Sequence, residues 1–281
     1  MSEKVKNVRK RFIIACDLEG VNNVVGEPYK GLYRGCDEWE IARRQAALEI
    51  NSAAVALFDA GAEVIDLWDN HGGGGNIDPC DLDPRIRLLD PDMEKPRFYF
   101  AGDYDAVLYF GYHAMEGTLG GVLAHTMNSA QNQYYKLNGK YIGEVDMDAF
   151  IAASYGASSV LFVGGDIACS QARRAVPGIR TVVTKRELSR NAAEFRDNVE
   201  LFSEIATASV LAAKDEIPLV NLKFPAVIEK SFKRVEDADL YLKRLLSLGI
   251  SAKHPECDVL GNDAHTVVSV VDDIDAFRLC I

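Results

Sequence analysis

A chain of 281 residues with 48% apolar and 26% charged side chains is long enough to bury a large core and too apolar to stay disordered. Its formal charge of -11, with no basic stripe to offset it, argues against a nucleic-acid phosphate backbone or an anionic bilayer as a partner. The apolar run Phe12–Cys16 is too short for a signal segment, and no stretch approaches the length of a membrane span, so the sequence reads as cytoplasmic.

In chain order, the first element is a buried strand at Arg11–Cys16, which ends in Asp17-Leu-Glu19-Gly20. If the extended backbone continues, the period of two puts both carboxylates on one side, where one could bridge two cations while its neighbour holds one; solvated loop charges are the competing reading. A helix follows over Asp37–Ala60. Asp37 and Glu40 resemble a capping box, Gly61 supplies a stop, and Trp39, Ala42, Ala46, Ile50, Ala53 and Leu57 form one apolar face. A second strand, Glu63–Trp68, runs into Asp69-Asn70-His71 and the glycines Gly72 to Gly75, a stretch that could equally be a surface loop. The third strand, Ala106–Tyr112, delivers His113, and His125 follows a short way on; either could instead be a hydrogen-bonded core histidine. Asn138-Gly139 marks a hairpin within Tyr134–Ile142. A helix then runs from Glu144 to Tyr155, where Glu144 also suits the helix dipole.

Strands at Ser159–Gly164 and Ile179–Thr184 and a helix over Ser189–Lys214 complete the first part of the chain. After Pro218 the expected elements are a strand at Leu219–Phe224, a helix at Val235–Leu248, a strand at His265–Val271 and a short final helix. Strand-helix alternation implies an α/β fold: a mostly parallel, three-layer sheet domain over residues 1–190 and a smaller α+β C-terminal domain over 191–281. The six cysteines (Cys16, Cys36, Cys80, Cys169, Cys257 and Cys280) show no paired spacing and read as free thiols. A Gly-x-Gly-x-x-Gly turn after the first strand is absent, which removes a dinucleotide-binding reading.

Asp17, His71 and His113 each end a separate expected parallel strand, so one sheet edge could gather them. With Glu19 and Glu144 they make five nitrogen and oxygen donors. One catalytic zinc usually takes three, and two cations sharing a carboxylate fit the set better. Imidazole with carboxylate suits zinc first, with manganese or cobalt as alternatives.

These segments, namely Asp17-Leu-Glu-Gly20, Asp69-Asn-His71, Gly111-Tyr-His-Ala114, Gly121-Val-Leu-Ala-His125-Thr-Met127 and Gly143-Glu144, resemble the D-aminopeptidase family of dinuclear zinc metallopeptidases found in bacteria. Val163-Gly-Gly-Asp166 and Lys185-Arg-Glu-Leu-Ser-Arg190 also look like family segments. The resemblance implies that Asp17 bridges two zinc ions, that Glu19, His71, His113 and Glu144 complete them, and that His125 is a catalytic histidine stabilising an oxyanion or shuttling a proton. It further implies hydrolysis of short peptides with a free N-terminus, D-Ala-D-Ala among them, by a homo-oligomer that could form a large ring. Asp69 and Asp166 are candidates for orienting the ligands. The rival readings are a dinuclear amidase or phosphoesterase, and a non-catalytic α/β ligand-binding protein.

Overall fold

The computed structural model describes residues 9–28, 31–90, 92, 95–257 and 261–281. In chain order the strands are β1 (Arg11–Cys16), β2 (Val64–Asp69), β3 (Arg87–Leu88), β4 (Ala106–Tyr112), β5 (Asn132–Leu137), β6 (Lys140–Tyr141), β7 (Ser158–Gly164), β8 (Arg180–Val183), β9 (Lys185–Ser189), β10 (Ala192–Phe195), β11 (Ala226–Phe232), β12 (Ser251–Lys253), β13 (Glu256–Cys257), β14 (Gly261–Asn262) and β15 (Thr266–Val271). The helices are α1 (Asp37–Asp59), α2 (Glu144–Ser154), α3 (Asp166–Ala175), α4 (Asn198–Ala212), α5 (Val235–Ser247) and α6 (Ile274–Cys280).

Six parallel strands in the order β3-β2-β1-β4-β7-β8 make the main sheet. Every residue of β4 and β7 is buried, as strands covered on both faces require, and their near-continuous apolar sequences follow from that. Helices α1 and α4 pack together on one face and α2 and α3 on the other, which gives the expected mostly parallel three-layer α/β architecture. A second, antiparallel sheet has the order β12-β15-β11-β5-β6, with α5 packed against β11, β12 and β15. The expected division near residue 190 is a line in the sequence. In space the second sheet takes β5 and β6 from before it and β11, β12 and β15 from after it.

The hairpin between β5 and β6 turns at Asn138 (φ +49°) and Gly139 (φ +78°), the left-handed pair that the Asn-Gly signal demands. Three local expectations are corrected. Residues 189–214 are not one helix, because β9 and β10 form a hairpin first and α4 starts only after Asp197, whose side chain accepts the Val199 and Glu200 amides. No strand occupies Leu219–Phe224; the alternation there is local, Leu219 is exposed, and pairing begins after Pro225 with β11. Helix α1 is capped by the Cys36 sulfur accepting the Trp39 amide, one residue before the expected Asp37, which instead puts its charge in the first turn. Among the described residues the free cysteines are Cys16, Cys36, Cys80, Cys169 and Cys280. No helix among them is long and apolar enough to cross a membrane.

Candidate metal centre

Two glycines bring the carboxyl ends of β1 and β4 unusually close. The Gly20 amide donates to the Gly111 carbonyl at 2.6 Å, and a Cβ on Gly20 would lie 2.0 Å from the Tyr112 carbonyl oxygen. At Gly111, which has φ +68°, a Cβ would lie 2.0 Å from the Asp17 carbonyl oxygen. The Asp-Leu-Glu-Gly and Gly-Tyr-His segments are thus pressed backbone to backbone, and Asp17 meets His113.

The structure brings together all six sequence-selected side chains. His71 Nδ1 lies 3.0 Å from Asp17 Oδ1 and 3.3 Å from Glu19 Oε2. His113 Nε2 lies 3.5 Å from both Asp17 Oδ2 and Glu144 Oε1. Asp17, Glu19 and His71 form one group whose donor atoms lie within 4.8 Å of one another, Asp17, His113 and Glu144 form a second, and Glu19, His113 and His125 form a third. Asp17, Glu19 and His113 each belong to two of them. Glu144 opens α2, where the dipole favours its charge, and its Oε1 also accepts the Met127 amide at 2.7 Å.

The donor set fits a cation. His113 Nδ1–H donates to the Ala114 carbonyl at 3.0 Å, which leaves the Nε2 lone pair facing two carboxylates; that nitrogen is buried without a hydrogen-bond partner. Burial works against the charged form of His71, but Glu19 and Asp17 outweigh it and raise the imidazole to about 11. His113 is likewise raised well above the usual imidazole value, burial being overcome by Asp17 and Glu144. Burial pushes Glu19 up, yet His71 and then His113 hold it well below the ordinary carboxylate value. Such a cluster is built around positive charge, and a bound metal ion would take the place of the imidazole protons.

The surroundings explain segments that ligand reasoning left over. Among the described residues the His71 ring pairs with Asp17 and Glu19, and Asp69 is engaged elsewhere. Its carboxylate accepts the Asn76 and Ile77 amides and the Asn76 side chain at 2.5, 3.1 and 2.9 Å, and Asn76 Nδ2 in turn donates to the His71 carbonyl at 2.7 Å, so Asp69 shapes the glycine-rich loop. Asp166 accepts the Glu187 amide at 2.8 Å. The Lys185-Arg-Glu-Leu-Ser-Arg190 segment is a brace: Lys185 Nζ donates to the Glu19, Val21 and Val24 carbonyls, Glu187 accepts the Val122 amide, and Arg190 donates to the Ala124 carbonyl. The last two contacts hold the loop of His125, which is bracketed by Leu123 and Met127 at φ +51° and +63°. Left-handed backbone at two non-glycine residues costs energy that only a firmly held loop retains.

Sequence reasoning missed Arg97, Tyr112 and Asp148. Arg97 pairs with both Asp148 carboxylate oxygens at 2.7 and 2.8 Å and donates to Asn70 Oδ1 at 2.9 Å, while Tyr112 donates to Asp148 at 2.8 Å. Asp148 stands four residues after Glu144 on α2, a helical spacing visible in the sequence; Arg97 had no pattern to mark it. The cluster opens into a cleft of about 570 Å³ lined by Asp17, Glu19, His71, His125 and Glu144 and, from the second sheet, by Tyr135 and Lys230. A neighbouring cavity of about 700 Å³ with aromatic walls shares Asn70, Arg97 and Met127 with it.

Carboxylates and imidazoles converging at the carboxyl edge of a parallel sheet, inside a cleft, define an α/β metallohydrolase. A family model described as D-aminopeptidase matches residues 11–245, and the chain belongs to that family of peptidases. It is 25% identical over 214 residues to a D-aminopeptidase of Bacillus subtilis (strain 168), covering 75% of this chain and 74% of that protein. Its fold is similar to that of a solved structure described as the Zn-dependent D-aminopeptidase DppA from Bacillus subtilis, a self-compartmentalizing protease. The TM-score is 0.80 and the identity 20%, over 96% of this chain and 94% of that one.

Proposed function

We propose that this chain is a cytoplasmic aminopeptidase that holds two zinc ions and hydrolyses short peptides with a free N-terminus, D-amino-acid peptides such as D-Ala-D-Ala foremost. The observation that carries this reading is the overlap of the three donor groups, in which Asp17, Glu19 and His113 each belong to two; Asp17, common to the group with Glu19 and His71 and the group with His113 and Glu144, is the carboxylate that would be shared if two cations were held. The Zn-dependence of the Bacillus subtilis structural neighbour supports zinc, and its self-compartmentalizing description supports a homo-oligomer, a ring with enclosed sites being one such form. Bound there, zinc would supply Lewis acidity, polarising the scissile carbonyl and lowering the pKa of water toward about 7.

The chain's own residues supply the rest. His125 Nδ1–H donates to the Leu123 carbonyl at 2.9 Å, which fixes the ring and leaves Nε2 free at the cleft to carry a proton to the developing oxyanion. The brace from Lys185 to Arg190 fixes the two loops that carry Glu19 and His125, so little reorganisation accompanies the reaction.

Elemental analysis of purified protein is expected to give two zinc per chain, with EDTA abolishing and zinc restoring hydrolysis of D-Ala-D-Ala. One ion per chain would remove the shared-carboxylate arrangement, and chelator-resistant turnover would remove the metal mechanism. Preference for L-Ala-L-Ala, an amino-acid amide or a nitrophenyl phosphate over D-Ala-D-Ala would redirect the substrate assignment.

A further inference from the structure

Among the described residues, one cation lining the cleft has no anion. Lys230 on β11 lies opposite Tyr135 of β5 and lines the same cleft as Asp17, Glu19, His71 and Glu144. Its Nζ stands 4.5 Å from the ring centre of Tyr241, 4.8 Å from Tyr135 and 5.0 Å from Phe232, an aromatic seat that steadies an ammonium without neutralising it. Among the described residues no carboxylate lies within ion-pair distance of it, in a chain whose 42 acidic residues outnumber its 31 basic ones. Arg97, the other strong cation lining the cleft, spends its guanidinium on Asp148 and Asn70 and stands 3.9 Å from Glu144, while Arg244, whose charge reaches Lys230, lines the neighbouring cavity and donates to the Leu279 carbonyl at 3.1 Å. Of the Lys and Arg side chains lining this cleft among the described residues, Lys230 is the one that no carboxylate engages.

The cleft is therefore polar in a directional sense. Carboxylates and imidazoles that gather metal ions line it from the main sheet, and a caged ammonium with free donors lines it from the second sheet. A short peptide with both ends free carries the complementary pair of charges, an ammonium at the residue to be released and a carboxylate at the far end. We propose that Lys230 receives the C-terminal carboxylate of the bound peptide, so that the cleft selects di- or tripeptides ending in a free carboxylate over the same peptides with an amidated end. This rests on the aminopeptidase reading of the metal centre and adds the residue that sets substrate length and end chemistry. Burial, and behind it the positive charge of Arg244, draws the Lys230 ammonium down to about 7; an arriving carboxylate offsets both effects and holds the proton in place.

The test compares kcat/KM for D-Ala-D-Ala and for D-Ala-D-alaninamide on the full-length, zinc-loaded protein. The wild type is expected to prefer the free acid by about tenfold or more, the scale of one desolvated charge pair. In Lys230→Met the preference should fall to about unity through a rise in KM for the free acid; Lys230→Arg should retain part of it and Lys230→Glu should invert it. A Lys230→Met protein with the wild-type KM for the free acid and its full preference overturns the assignment. So does a wild type that cleaves both compounds equally well, which leaves the peptidase reading intact. A wild type that cleaves neither removes the peptidase reading and this inference with it. Circular dichroism and zinc content identify a variant that has failed to fold, and the wild-type ratio decides the matter without any variant.

Discussion

His113 and His125 lie face to face, with ring centroids 3.9 Å apart and planes within 11°, and the function proposed above gives them different work although both also fall in one donor group with Glu19. His113 is fully enclosed with Nε2 between two carboxylates, whereas His125 is partly exposed at the cleft wall. His125→Ala is accordingly expected to keep its zinc while kcat falls by about 10²–10⁴, the range for losing a general acid-base group. His113→Ala should lose zinc and turnover together. Equal zinc loss in both variants, measured by elemental analysis, would make His125 a ligand. Asp17, His71 and His113 were legible in the sequence because each ends an apolar strand, so that strand order alone places them on one edge. Lys230 and Arg97 were not: an isolated basic residue looks the same in sequence whether it is solvated or enclosed, and only the packing of two sheets reveals its surroundings.

Helix α2 does two tasks on one face. Its first residue, Glu144, enters the cluster, and one turn later Asp148, buried beneath it, anchors Arg97 and Tyr112. Burial pushes Asp148 up and Arg97 opposes the push, so each is the other's main compensation. Asp148→Ala, which leaves the buried Arg97 guanidinium only Glu144 at 3.9 Å, is expected to cost about 3–5 kcal/mol in denaturant unfolding. A loss near zero would show that Glu144 and solvent already compensate the Arg97 charge. The elements read most clearly in sequence are those whose signal is local and strong: the buried strands, the apolar stripe of α1 and the Asn-Gly hairpin. Residues 189–214 misled because Phe195 and Val199 continue a helical spacing through a hairpin while both remain largely exposed. Helix α3 went unread; its buried residues are Ala168, Cys169 and Ala172, too small to raise an apolar stripe.

At the scale of the molecule, a polar joint ties α1, α4 and the loop after β1. Glu49 Oε1 accepts the Asn22 amide at 2.8 Å and the Gln45 side chain at 3.0 Å, and Asn198 of α4 meets Asn22 and Gln45. Glu49 is wholly buried, its Oε2 has no partner, and burial raises its carboxyl to about 7 from an ordinary value of 4.5. With the folded pKa above the unfolded one, the native state binds the extra proton, and stability is lost as pH rises from 4.5 to about 7. Relative to Glu49→Gln, the wild type should lose at most about 1.4 kcal/mol of unfolding free energy per pH unit across that window and level off above it. A difference independent of pH would show that folding leaves the Glu49 pKa unshifted. The overall α/β architecture followed from strand-helix alternation, but the pairing of β5 with β11, residues far apart in the chain, carries no local signal. In the function proposed above, that pairing divides labour in the cleft: the metal-gathering groups stand on one sheet and Tyr135 and Lys230 on another. Substitutions along β5 and β11 would then retune what is admitted while the reaction chemistry is left alone, a separation that would let one catalyst be refitted to new diets.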